Sequence, residues 1–373
     1  MSERASASTT QGGPVGVAVV GAGVISEQYL PNLATFPDVR VLAIADLDTD
    51  RARTVAGKHG IPVSGTLAEV LAIPEVEVVV NLTIPAAHVE VAMAALDAGK
   101  HVYGEKPLAL RPDDGAKLLA AADTRGLLVA SAPDTFLGAG LQSAIRAVDE
   151  GLIGTPIAAV AATRGPGPER WHTNPAFLYQ RGAGPLFDMG PYYLTALIAA
   201  LGSVTRVAAV GRLTHAKRTI GSGPLAGTEF DVEVPTHLVA LIDFAAGASA
   251  SATFSFDSPV PETLLELTGT EGTLRLPDPN TFDGPLRMHD GKSWRDLPVE
   301  GSTVGRGLGV LELARALRTG VPHRATCVLG QHVLDAMTAI ADSANEGEFR
   351  PVDSTVDRPP TLPADWDPHA ATL

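Results

Sequence analysis

The chain has 373 residues, 45% hydrophobic and 19% charged, so it is too long for one ordinary core and too apolar to be disordered. A net charge of -14 without any Lys/Arg cluster excludes a nucleic-acid binder, and no apolar run approaches the length of a membrane span. The one cysteine, Cys327, excludes an intramolecular disulfide; with no signal-peptide pattern at the start, it points to a reducing cytoplasm.

Residues 1–13 are rich in Ser, Thr, Gly and Gln and read as a disordered tail. Val15–Val20 is a continuous apolar run, as a buried parallel strand requires. A Gly-rich turn and a helix through Leu33 follow. Val39–Ala45 is a second strand, and residues 49–60 a helix capped by Asp48 or Thr49 and stopped at Gly60. The alternation continues with a strand at 76–82, a helix at 86–99, a short strand at 100–103, a helix at 111–125, a strand at 127–131 and a helix at 141–151. This predicts a doubly wound parallel sheet, an α/β nucleotide-binding domain spanning 14–150.

Beyond Gly154 the pattern changes. Strands are predicted at 156–164, 204–213, 237–244, 248–256, 264–270 and 272–276, with hairpin turns near Gly247 and Gly272. One helix, 186–201, separates the first two strands. Helices at 308–319 and 329–346 come late. The second domain, 151–352, therefore reads as α+β with a large open, mainly antiparallel sheet. Residues 353–373, rich in Pro and Asp, read as an irregular tail.

The turn after the first strand reads Gly21-x-Gly23-x-x-Ser26. The first glycine permits the tight turn, and the second lets a pyrophosphate approach the helix N-terminus, beside Val24 and Ile25. Asp46 ends the second strand, where a carboxylate accepts ribose hydroxyls and repels a 2'-phosphate. This favours NAD over NADP, since Arg51 and Arg53 lie one turn into the next helix. Thr83, Ile84 and Pro85 end the next apolar strand and border the expected dinucleotide. His88, on the first turn of the following helix, joins this set as a helix-face or capping residue.

Lys106, in Tyr103-Gly104-Glu105-Lys106-Pro107, stands where doubly wound folds place their chemistry, outside the carboxyl ends of the strands. Proline after lysine restricts the backbone and can hold a cis bond. Glu105 and Lys106 are counted among the candidate cofactor contacts. Asp188 and Tyr192, four residues apart, share one face of the helix at 186–201.

These segments resemble the Gfo/Idh/MocA oxidoreductases. The resemblance rests on the strand and Gly loop at 15–26, on Ala-Gly-Lys-His-Val-Tyr-Gly-Glu-Lys-Pro at 98–107, and on the Gly-rich entry to the Asp188 helix. It implies an N-terminal Rossmann domain and a C-terminal open sheet that often mediates assembly as a homodimer or homotetramer. It also implies hydride transfer between NAD(P) and a sugar, cyclitol or related polyol. Lys106 matches the lysine that contacts the nicotinamide region and the reacting hydroxyl, and Asp188 the acid of the substrate-domain helix. Where the family commonly has a histidine as proton acceptor, this chain has Tyr192. Relatives of two other kinds stand as alternatives: enzymes that recycle a bound NAD to cleave glycosidic bonds, and regulators without catalysis.

Alcohol oxidation requires a group that takes the proton. A neighbouring ammonium favours a phenolate at Tyr192, and positive neighbours with burial lower a lysine pKa, so Lys106 is itself a candidate base. We expect Lys106 and Tyr192 to act as a pair oriented by Asp188. Arg164, Trp171, His172 and Tyr179 are candidate substrate ligands, Trp171 by stacking on a ring and His172 as an alternative base. Asp134, with Thr135, is expected to line the cleft. Metal binding is not expected, because the ten histidines show no paired ligand spacing.

Overall fold

The computed structural model describes residues 12–373, so the tail expected over 1–13 lies largely outside the described residues. The first sheet comprises β1 (Val15–Val20), β2 (Val39–Ala45), β3 (Val63–Gly65), β4 (Val78–Asn81), β5 (His101–Gly104) and β6 (Val129–Ser131). All its pairings are parallel, in the order β3-β2-β1-β4-β5-β6. The connecting helices are α1 (Ser26–Leu33), α2 (Thr49–His59), α3 (Leu67–Leu71), α4 (His88–Asp97) and α5 (Pro112–Arg125). Every residue of β1 and β4 is buried, which is why β1 reads as an unbroken apolar run and β4 as one broken only by Asn81 at its end. The strand order reverses between β1 and β4, and the crevice at their carboxyl ends is where such sheets bind ligands. β3 and α3 are too short to show a period, and the sequence did not reveal them.

α6 (Ala139–Asp149) leads into the second sheet. Its strands are β7 (Pro156–Arg164), β8 (Val204–Arg212), β11 (His237–Phe244), β12 (Ser249–Ser255), β13 (Glu262–Gly269), β14 (Thr273–Arg275), β15 (Leu286–His289), β16 (Trp294–Leu297) and β17 (Arg350–Pro351). A separate hairpin is formed by β9 (Lys217–Thr219) and β10 (Glu229–Asp231). The large sheet is mixed: β7 and β12 pair in parallel, and the other pairs are antiparallel.

α7 (Gly184–Leu201) covers the inner face of this sheet. Ala159, Ala161, Ala240, Ala250 and Ala252 floor that face, and their small side chains let the helix sit close. Tyr193 packs edge-on against Phe254, with ring centroids 6.1 Å apart, and donates its hydroxyl to the Ala162 carbonyl at 3.2 Å. Burying such an aromatic pair contributes about 1 kcal/mol beyond its area term. The inner face thereby fixes the rotation of α7, which aims Asp188 and Tyr192.

α8 (Leu308–Thr319) returns to the first sheet, packing on β5 and β6, while α9 (Cys327–Glu346) packs on β6 and on β8 of the second sheet. Ser131 N donates to the Ala325 carbonyl at 2.9 Å. Residues 353–373 form no helix or strand, yet they are firmly held. Val356 N donates to Ser203 Oγ at 2.7 Å, Leu362 N to Gln142 Oε1 at 2.6 Å, and Thr372 N to Asp38 Oδ1 at 2.9 Å. No helix among the described residues is long and apolar enough to cross a membrane.

Candidate active site

The turn after β1 has the shape a dinucleotide needs. Gly21 has φ +104°, and a Cβ there would lie 2.6 Å from the Leu82 carbonyl oxygen, so only glycine fits. Around Gly23 the space is open. The amides of Gly23, Val24 and Ile25 precede α1 and donate to no protein acceptor among the described residues, so they are available to an anion. Asp46 Oδ2 accepts from Ala22 N at 2.8 Å and Oδ1 from Asp48 N at 2.9 Å, tying the second strand's acid to the Gly loop. Arg51 reaches back to within 3.9 Å of Asp46, closer than its place in the helix implied.

Val24, Leu47 and Ile84 are exposed by 89%, 106% and 67% around this crevice, an apolar rim suited to covering a flat cofactor. These residues fit NAD: the loop amides toward its pyrophosphate, Asp46 toward a ribose. Gly21→Ala is expected to weaken NAD binding at least about tenfold in a fluorescence titration, because the new methyl collides with backbone.

Two expected cofactor contacts are corrected. His88 is buried, with Nδ1 2.8 Å from the Pro107 carbonyl oxygen and Nε2 3.0 Å from that of Thr83. It holds the end of β4 against the Lys106 turn from behind and does not face the crevice. Burial lowers its pKa, although the carbonyl at each end of the ring opposes this. Glu105 also points inward, accepting from Tyr29 Oη at 2.6 Å and from Lys106 N at 3.0 Å.

Lys106 and Asp188 meet across the two domains. Lys106 Nζ donates to Asp188 Oδ1 at 3.0 Å and to the Asp188 carbonyl at 2.9 Å, and sits 5.1 Å from the centre of the Tyr192 ring. The Lys106–Pro107 bond is cis. The two side chains remain 17% and 28% exposed, so a ligand can reach them.

Burial opposes the charge on Lys106, but Asp188, Tyr192 and Glu105 outweigh it and raise its pKa above the ordinary lysine value. Burial likewise raises the Tyr192 pKa, with Lys106 and Arg306 offsetting only part of the rise. Both directions run against the sequence expectation that one of these groups readily becomes a base. At neutral pH Lys106 is an ammonium and Tyr192 a phenol.

Other expected substrate ligands lie elsewhere. Asp134 is wholly buried, and its Oδ2 accepts from Gly307 N and Gly309 N at 2.8 and 3.1 Å; it caps the turn into α8 and does not line the cleft. Thr135 is buried with it. Tyr179 is buried and donates to Glu169, which also pairs with Arg218. Arg164 forms a cross-strand pair with Glu262 on the sheet's outer face, opposite α7. Trp171 is 69% exposed, edge-on to His172, whose Nδ1 accepts from Asn174 N at 3.0 Å. Neither Trp171 nor His172 makes a hydrogen bond or ring contact with Lys106, Asp188 or Tyr192. Among the described residues no cluster suits a metal ion.

Sequence reasoning missed Arg306, whose Nη2 lies 3.3 Å from Tyr192 Oη and 2.8 Å from Asn280 Oδ1. The available signal was a Gly-rich entry to a helix, Gly305-Arg306-Gly307, like the entry that precedes Asp188.

Comparison with known proteins identifies both halves of the chain. Residues 15–132 match the model of an oxidoreductase family with an NAD-binding Rossmann fold, and residues 141–275 match the GFO/IDH/MocA C-terminal domain. Inositol 2-dehydrogenase 3 of Saccharopolyspora erythraea is 29% identical over 270 residues, covering 71% of this chain and 74% of the relative. Trans-1,2-dihydrobenzene-1,2-diol dehydrogenase of Bos taurus is 27% identical over 266 residues, 70% of this chain and 73% of that one. Levoglucosan dehydrogenase in complex with NADH and L-sorbose shares the fold, with a TM-score of 0.80 at 20% identity over 92% of this chain and all of that one.

Proposed function

The chain belongs to the Gfo/Idh/MocA family of NAD-binding oxidoreductases, and on that premise we propose that it transfers hydride between NAD and a hydroxyl-bearing carbon of a sugar, cyclitol or related polyol. The observation that carries this reading is the Lys106–Asp188 contact beside Tyr192, at the carboxyl end of the sheet that carries the Gly loop. Bound NAD would supply the hydride acceptor. Lys106, held by Asp188, presents an ammonium to the reacting oxygen and stabilises the charge that develops there. Tyr192 exchanges the proton. Tetrahedral alcohols with neighbouring hydroxyls suit the purpose, because Asp188 can accept from one of them while Lys106 donates to another.

The test is incubation with NAD and a panel of polyols, following the reduced-nicotinamide absorbance. Net reduced cofactor supports the dehydrogenase. Product without net reduced cofactor supports the recycling glycosidase or lyase, and binding without product the regulator. The retained Lys106–Asp188 pair favours the dehydrogenase over the regulator.

A pH dependence follows. A phenol with a raised pKa must lose its proton before it can accept one from an alcohol. Alcohol oxidation is therefore expected to accelerate as pH rises above neutrality, and carbonyl reduction to slow, when kcat/KM is measured in both directions.

The outer face of the large sheet supports assembly, and we place this chain in a homodimer or homotetramer in the cytoplasm. Val160, Val210 and Leu241 are exposed by 41%, 65% and 56% there, flanked by the pairs Arg164–Glu262, Arg206–Asp243 and Arg275–Glu266. An apolar centre with a charged rim is the anatomy of an interface. Leu241→Glu is expected to reduce the light-scattering mass to that of one chain. A monomeric unmodified chain would refute the assignment.

A further inference from the structure

The chain has five tyrosines, and four of them place their hydroxyl hydrogen on a protein acceptor. Tyr29 donates to Glu105, Tyr179 to Glu169 and Tyr193 to the Ala162 carbonyl. Tyr103 lies 3.4 Å from Tyr29 Oη, which has already given its hydrogen to Glu105, so Tyr103 is the donor there. Tyr192 differs. Its one hydrogen-bond partner among the described residues is Arg306 Nη2, and a guanidinium has donors but no acceptor. The Tyr192 oxygen therefore accepts, and its own hydrogen is left without a protein acceptor.

We propose that Arg306 is a positioning residue for proton transfer: by donating to the Tyr192 oxygen it turns the phenolic hydrogen toward the substrate's reacting oxygen and stabilises the phenolate left behind. In the reducing direction the Tyr192 O–H bond breaks as the O–H bond of the product alcohol forms, while the reduced cofactor supplies the hydride. Oxidation runs the same exchange backward.

The surroundings of Arg306 fit this role. Its backbone sits between Gly305 and Gly307, both at positive φ (+113° and +109°), and its carbonyl accepts from Asn32 Nδ2 at 2.8 Å. Asp134 accepts from the Gly307 and Gly309 amides, fixing the turn from below. Asn280 orients the guanidinium. Four charged groups face Tyr192: Glu105 and Lys106 at the end of β5, Asp188 on α7 and Arg306 before α8. Lys106 is paired with Asp188, whereas Arg306 has no carboxylate within 4.0 Å among the described residues. Glu105 and Asp134 balance Arg306 only from a longer range, so the cation in direct contact with the phenol oxygen is one without an ion-paired carboxylate. Arg306 Nη1 is buried without a partner, so the side chain is not held there to satisfy a second ion pair.

The inference rests on the proposed dehydrogenase reading, and the experiment separates the two. Arg306→Met, Tyr192→Phe, the double variant and Arg306→Lys are compared on the best polyol from the panel. Arg306→Met is expected to lower kcat about 100-fold, with KM and NAD affinity within about threefold. In the Tyr192→Phe background the same change should cost less than about twofold, because the group it serves is gone. Arg306→Lys should restore part of the rate. Losses that multiply in the double variant, or that fall on KM or on NAD binding, overturn the proposal.

If no polyol is turned over, the dehydrogenase reading fails by itself. The inference is then read from phenolate absorbance, taking the Tyr192 signal as the difference between each protein and its Tyr192→Phe counterpart. Without Arg306 that ionisation should move to higher pH, and an unchanged position overturns the assignment. Arg306→Gln serves both measurements if the methionine variant does not fold.

Discussion

Lys106→Met is expected to lower turnover at least about 1000-fold while leaving NAD affinity within about threefold. The ammonium touches the second domain and remains open to a ligand, with Nζ 3.0 Å from Asp188 Oδ1 and its side chain 17% exposed. Methionine keeps much of the stem's volume and removes the charge. The pyrophosphate amides and Asp46 lie on the Gly loop and the end of β2, and the substitution does not disturb them. Folding should also survive, because Asp188 is 28% exposed and is not left as a buried, unpaired charge. Asp188→Asn should cost less, since the Asp188 carbonyl still accepts from Lys106 at 2.9 Å. Steady-state kinetics beside a cofactor titration decide the matter. A Lys106→Met enzyme within tenfold of the parent rate would remove Lys106 from the chemistry.

What the sequence made legible here was local. β1, its glycine turn and Asp46 each announce themselves through a run, a spacing or a strand end, and the structure joins them through the Ala22–Asp46 hydrogen bond. Lys106 and Asp188 were each visible as motifs. Their contact spans 82 residues, and resemblance to a family supplied the pairing. Nothing of that kind pointed to Arg306, which meets Tyr192 across 114 residues and Asn32 across 274.

The misplaced residues have specific causes. Asp134 follows a strand end, which is the right address for a ligand, but two amides of the α8 turn draw its carboxylate inward. Tyr179 was read as a free hydroxyl because its partner Glu169 is brought back by two short 3-10 turns. Arg164 was recoverable from strand parity. Ala159, Ala161 and Thr163 face α7, so Arg164 shares the outer face with Val160. The two proton carriers were misjudged for another reason. A lysine pKa falls near other cations, but the nearest charge to Lys106 is the carboxylate of Asp188, which no spacing rule places there.

Asp38→Ala is expected to cost about 3–5 kcal/mol of stability, although the residue is far from the crevice. Asp38 sits in the turn before β2 and is 1% exposed. It accepts from Arg315 Nε at 2.8 Å, Thr372 Oγ1 at 2.7 Å, Thr372 N at 2.9 Å and Leu373 N at 3.2 Å. One carboxylate thus joins the first sheet, α8 and the end of the segment that runs back from Ser203. Removing it leaves a largely buried guanidinium and two amides without their acceptor. The urea midpoint should fall by about 1 M or more. Burial opposes the charge on Asp38, but its bonds to Thr372 and Arg315 outweigh this and hold its pKa below the usual carboxylate value. The sign of the pH effect follows. A carboxyl whose folded pKa is depressed stabilises fully above its unfolded value, about 3.9, and loses that contribution as pH falls through the folded value. The stability gap between the parent and Asp38→Asn should therefore be constant near neutrality and close in acid. A gap that persists unchanged at pH 2, or a neutral-pH midpoint for Asp38→Ala equal to the parent's, would show that the segment is held by its apolar contacts instead.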